Sequence, residues 1–234
     1  MTVVDDMTAA DSITSASMTA DSMTAAGPTT DGQVPLIRLV AGLDVMAPSE
    51  RAAEHHLAQV AMAVRAAGAL DLTTATHRAT VFATPHVSMS ILMLTGLTPG
   101  RLLEMLADLL AVEDGAQGSV ALGDSRVGLP ALQVSASAAA AAHRDRTSGR
   151  AVQFPGSESL TGTVALRQVL ATTIDRIDAL GGDSPGADAL LVTRDFVRPR
   201  WQGGELVLHV QPAIGGTWVP FETPNPTPCC AAHR

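Results

Sequence analysis

Four phenylalanines and two tryptophans, with no tyrosine, are all the aromatic side chains available to this chain, although 46% of its residues are hydrophobic. Aromatic side chains are the largest apolar units a core can use, so the interior here must be aliphatic, filled by Ala, Val and Leu. At 234 residues the chain is long enough to bury such a core without disulfide or metal staples.

Charge narrows the function classes. The formal net charge is -8, and Asp5, Asp6, Asp11, Asp21 and Asp31 contribute to it without a basic partner in residues 1–33. Nucleic-acid binders carry a basic surplus because neutralising phosphates supplies much of their affinity. The acidic balance therefore argues against a nucleic-acid partner. Every basic residue is arginine and none is lysine, a bias that reads as coding pressure from a GC-rich genome of the actinobacterial kind. No run is apolar enough for a membrane span, and the first residues show neither the basic start nor the apolar stretch of a secretory signal. The expectation is a cytoplasmic protein whose two cysteines are thiols.

Residues 1–33 repeat MTAADS, MTADS and MTAAG with no branched apolar face, and are expected to be disordered because they bury too little to offset ordering entropy. Met7, Met18 and Met23, each followed by threonine, offer later translation starts. Residues 34–222 are expected to form one α+β domain of amphipathic helices packed on antiparallel sheet, with a division into two lobes near residues 143–162. A strand over VPLIRLVAGLDVM leads to a helix capped by Ser49, whose inward stripe is Ala53, Leu57, Val60, Val64 and Ala67. Two strands follow, then a helix capped by Thr98 with Pro99 in its first turn. The stretch SVALGDSRVGLPALQVSAS reads as two short strands about a turn, followed by an alanine run at 138–142 able to go helical. Leu166, Val169, Leu170, Thr173, Ile177 and Leu180 recur as one helix face. The segments ALLVTRDFVRPRW, ELVLHVQ and TWVPF read as an antiparallel meander turning at Gly203-Gly204 and Gly215-Gly216.

The tail, residues 223–234, has the most unusual composition. Pro224, Pro226 and Pro228 bias it toward extended backbone, and it carries Cys229, Cys230 and His233. Two thiolates and an imidazole could supply three ligands to zinc or copper. The adjacent cysteines depart from the two-to-four-residue spacing usual in zinc motifs, and a fourth ligand would have to come from elsewhere, His209 being one candidate. The bland alternative is a pair of small hydrophobic side chains that plug a docked tail.

Other candidates are weaker. His55 and His56 are neighbours on the first helix and do not share a face. His77 and His86 lie in the Thr-rich strands, His86 after Pro85, where an imidazole could act as acid or base. Arg194, Phe196, Arg198 and Arg200 share strand parity and could present arginines to an acidic partner or a phosphate. The sequence thus points first to a non-catalytic binding or assembly subunit, with a homo-oligomer or a protein as partner. The alternative is a metal- or thiol-dependent protein using Cys229, Cys230 and His233.

Overall fold

The computed structural model describes residues 35–79, 84–111, 118–181 and 184–224. The expectations for residues 1–33 and for Cys229, Cys230 and His233 fall outside the described residues. In chain order the elements are β1 (Ile37–Ala47), α1 (Glu50–Ala66), β2 (Leu70–Ala79), β3 (His86–Thr95), α2 (Pro99–Leu109), β4 (Ser119–Leu122), β5 (Ser125–Gly128), α3 (Pro130–Arg144), β6 (Arg150–Gln153), β7 (Thr163–Ala165), α4 (Leu166–Leu170), β8 (Arg176–Ala179), β9 (Leu190–Val192), β10 (Arg200–Gln202), β11 (Glu205–Pro212) and β12 (Trp218–Pro220).

The described strands form a 12-stranded sheet in the order β5-β4-β1-β3-β2-β6-β10-β11-β12-β9-β7, with β8 beside β11. The expected sheet was antiparallel; the observed one is mixed, because β8 runs parallel to β11 and β9 parallel to β12. Its first half, β1-α1-β2-β3-α2-β4 with neighbours in the order 4-1-3-2, is the split-βαβ arrangement.

Local chemistry explains the first helices. Ser49 Oγ accepts from the Ala52 amide at 3.2 Å at the start of α1, and Thr98 Oγ1 accepts from the Arg101 amide at 3.4 Å ahead of Pro99 in α2. Leu57, Val60 and Val64 of α1 and Leu102 and Leu106 of α2 share an apolar cluster with Ala41 and Leu43 of β1 and with Met89, Ile91 and Met93 of β3. A second cluster gathers Phe154, Leu166, Val169, Leu191, Trp201, Leu206 and Leu208 from the later elements.

Two further sequence expectations change. The stretch after β5 is a helix from Pro130 onward rather than strand, because Pro130 opens the first turn and Leu132, Ser135, Ala136, Ala139, Ala140 and His143 make a buried face of small residues. The expected long helix after residue 165 stops at Leu170. Thr172 bonds its own neighbourhood there, donating to Val169 O at 2.7 Å and accepting from the Ile174 amide at 3.3 Å. Such side-chain bonds compete with helix continuation, and residues 176–179 pair with β11 instead.

Along β1, Ala41 and Leu43 join the cluster with α1, whereas Gly42 meets α3: a Cβ at Gly42 would run into the Ala136 carbonyl and lie 2.9 Å from Ala140 N. Gly42→Ala is therefore expected to lower unfolding free energy by about 2–3 kcal/mol in urea titrations. Gly100→Ala, with open space at the start of α2, should stay within about 1 kcal/mol of the parent protein.

Candidate functional site

A cavity of about 970 Å³ opens where α1, β6, β10 and the segment after β12 meet. Five arginines line it, Arg51, Arg78, Arg150, Arg198 and Arg200, against three glutamates, Glu50, Glu54 and Glu222, which leaves a local surplus of two positive charges. Phe196, Phe221 and Leu180 supply apolar wall.

The charges are wired together around Arg150, which is 3% exposed. Its Nη1 lies 2.6 Å from Glu54 Oε1 and 3.6 Å from Glu50 Oε2, and its Nε donates to Glu222 Oε1. Arg198 Nη2 donates to Glu54 Oε2 at 2.7 Å, and Arg200 Nη2 donates to Glu222 Oε2 at 3.0 Å. The Arg198 guanidinium also lies 4.3 Å from the centre of the Phe196 ring. Three arginines and three glutamates thus neutralise one another. Arg51 and Arg78 have no such partner among the described residues, and the buried Glu50 Oε2 accepts no hydrogen bond.

Burial pushes the Glu54 carboxyl upward, but the hydrogen bonds and charges of Arg198 and Arg150 outweigh it and hold the group below its ordinary value of 4.5. Glu54 is a fixed anion with little appetite for a proton. Glu54→Gln strips both guanidiniums of their shared carboxylate and is expected to cost about 3 kcal/mol of stability in urea denaturation.

A separate polar network lies between the sheet and α3. Asp44, fully buried, accepts from the Met46 amide at 2.7 Å, from His86 Nε2 at 2.8 Å and from Ser135 Oγ. Ser, His and Asp meet here in the wrong order for nucleophilic catalysis, since the serine contacts the carboxylate and not the imidazole. His86, a sequence candidate for acid or base, is a buried partner of Asp44. Beside this network Ser90 Oγ sits 2.7 Å from both His77 Nε2 and His143 Nδ1.

Burial depresses both imidazoles, His77 to about 4 and His143 to about 3, with His77 and Arg146 adding to the effect at His143. A histidine whose folded value lies below its unfolded 6.5 contributes stability fully above that pH. The contribution is lost as the unfolded chain takes up protons below it. Each histidine is expected to remove about 1.4 kcal/mol between pH 7.5 and 5.5. Urea titrations at the two pH values should show this loss, reduced by about one histidine's share in His143→Gln; equal stability of the parent protein at both would contradict neutral burial.

Of the other sequence candidates, Phe196, Arg198 and Arg200 do line the cavity, though only Arg200 lies on a strand. Arg194 instead occupies a turn with φ 55°. His209 also lines the cavity, with Nε2 3.3 Å from Gln202 Nε2. His55 stands 3.4 Å from Gln59 on α1. Sequence reading missed Glu54, Arg150 and Glu222. The only signal was three unpaired-looking charges scattered over three elements.

No protein-family model, curated protein or solved structure matches this chain. Among the described residues no group of three or more His, Cys, Asp or Glu side chains is placed to hold a metal ion, and no helix is long and apolar enough to cross a membrane.

Proposed function

We propose that this is a non-catalytic binding protein whose cavity takes a small anionic molecule with an apolar body. The scaffold in this reading is a set of amphipathic helices packed on the sheet, with α1 supplying one wall. What carries it is the uneven charge of the cavity. Arg150, Arg198 and Arg200 are spoken for by carboxylates, whereas Arg51 and Arg78 line the same space without a partner among the described residues.

Size agrees with this reading, since about 970 Å³ lies within the range that encloses metabolite-sized molecules. The chemistry favours holding over transforming. Guanidiniums stay protonated and do not shuttle protons, and Glu54 is held ionised by two of them.

Thermal-shift screening of carboxylates and phosphate monoesters, followed by calorimetric titration of those that stabilise the protein, tests the proposal. An anion with an apolar body should bind, and Arg51→Ala or Arg78→Ala should each weaken it about tenfold while leaving the melting temperature of the free protein unchanged. Failure of every anion to stabilise the protein at millimolar concentration would refute the reading, as would affinity indifferent to both arginines.

A further inference from the structure

Sheet register sets three of the cavity's arginines side by side. Arg150 on β6 stands directly opposite Thr76 on β2 and Arg200 on β10. Cross-strand partners share a sheet face, and so do residues two apart on one strand. Arg78, two beyond Thr76, therefore joins Arg150 and Arg200 in one row across three neighbouring strands. The bonds from Arg150 to Glu54 and Glu222 turn that face toward α1 and the segment after β12. Like charges placed opposite one another destabilise a sheet. Glu222 relieves this between Arg150 and Arg200 by accepting from the first through Oε1 and from the second through Oε2. Arg78, at the other end of the row, lines the same cavity with no carboxylate partner among the described residues.

Arg150 also has donors to spare. Its Nε and Nη1 are taken by Glu222 and Glu54, whereas its Nη2 meets no acceptor among the described residues. The fully buried side-chain atoms left without a partner there are Glu50 Oε2, Thr76 Oγ1, His77 Nδ1 and His143 Nε2. Arg150 Nη2 is not one of them, so it retains accessible surface, and Arg150 lines the cavity. Two whole guanidiniums, Arg51 and Arg78, and the outer nitrogen of a third are thus left to a ligand. One guanidinium fork engages both oxygens of a carboxylate. Three guanidiniums suit a group with three terminal oxygens. The local surplus of two positive charges matches the charge of about -1.5 to -2 that a phosphate monoester carries near neutral pH. For the rest of the ligand, Phe221 and Leu180 are cavity walls 55% and 39% exposed, whereas Phe196 already carries Arg198 on its ring.

We infer, resting on the anion-binding reading of this cavity, that its ligand is a phosphate monoester: the phosphate held by Arg78, Arg51 and Arg150 Nη2, the apolar body against Phe221 and Leu180. The phosphate completes the row, giving Arg78 at one end the counter-charge that Glu222 gives Arg200 at the other.

Calorimetric titration of the full-length protein at pH 8 with 1-naphthyl phosphate, 1-naphthyl sulfate and 1-naphthoate provides the test. The two esters share a body and a tetrahedral head, but well above its second pKa of about 6 the phosphate carries one charge more. It should bind about tenfold or more tightly than the sulfate in the parent protein. Arg78→Ala should remove most of that preference, while Phe221→Ala should weaken both esters by a similar factor. Equal affinity for the two esters, a preference untouched by Arg78→Ala, or esters indifferent to Phe221→Ala overturns the inference. Binding of the sulfate or of 1-naphthoate without the phosphate also overturns it and leaves the anion-binding reading standing. Binding of none of the three overturns both.

Discussion

One buried guanidinium organises the join between the early and late elements. Arg150 sits on β6, the strand that pairs with β2 on one side and β10 on the other. From there it reaches carboxylates on α1 and on the segment after β12. A guanidinium taken out of water is tolerated only when its donors are met by acceptors or negative charge. The requirement fixes where α1, β6 and residue 222 stand relative to one another. The cavity beside them follows from it, as a space bounded by side chains already committed to each other.

The scarcity of aromatics shapes the rest of the interior. Toward α1 and α2 the sheet presents Met89, Ile91 and Met93, which are large enough to fill space without rings. Toward α3 it presents Gly42, Asp44, Ser88 and Ser90, and the helix answers with Ser135, Ala136, Ala139 and Ala140. Small residues on both sides bring backbones close, but they leave little apolar surface to drive docking. Hydrogen bonds through Asp44 and Ser90 locate α3 instead, and each must be complete to be worth having. Among the described residues, His77 Nδ1 and His143 Nε2 are buried without a partner and are exceptions to that completeness.

Much of the scaffold was legible in residue order. Ser49, Thr98 and Pro99 announce two helices because capping is local, and the apolar spacing of α1 reports its inner face. The misreadings were also local in origin. In α3, the valine and serines of LPALQVSAS resemble a strand until Pro130 and the recurrence of small residues at 132, 135, 136, 139, 140 and 143 are weighed together. The helix expected through Leu180 ended early because Thr172 turned its hydroxyl onto the backbone. The cavity was less legible. Phe196, Arg198 and Arg200 stood out as a cluster, but Glu54 lies 96 residues from Arg150 and 144 from Arg198. No spacing rule joins positions so far apart; sheet order does.

The absence of lysine, which as a sequence feature says only something about coding bias, acquires a physical consequence in this structure. A lysine in place of Arg150 would offer three donors on a flexible stem, and when buried it readily sheds its proton. Arginine keeps its charge and spreads five donors in a fixed plane, enough to face Glu50, Glu54 and Glu222 together. The same planarity lets Arg198 lie over Phe196 while bonding Glu54 through its edge. Composition alone would make an acidic chain of net charge -8 a poor host for anions. The cavity nevertheless carries a local surplus of two positive charges, and the long-range repulsion of distant acids is screened within about 10 Å by ordinary salt.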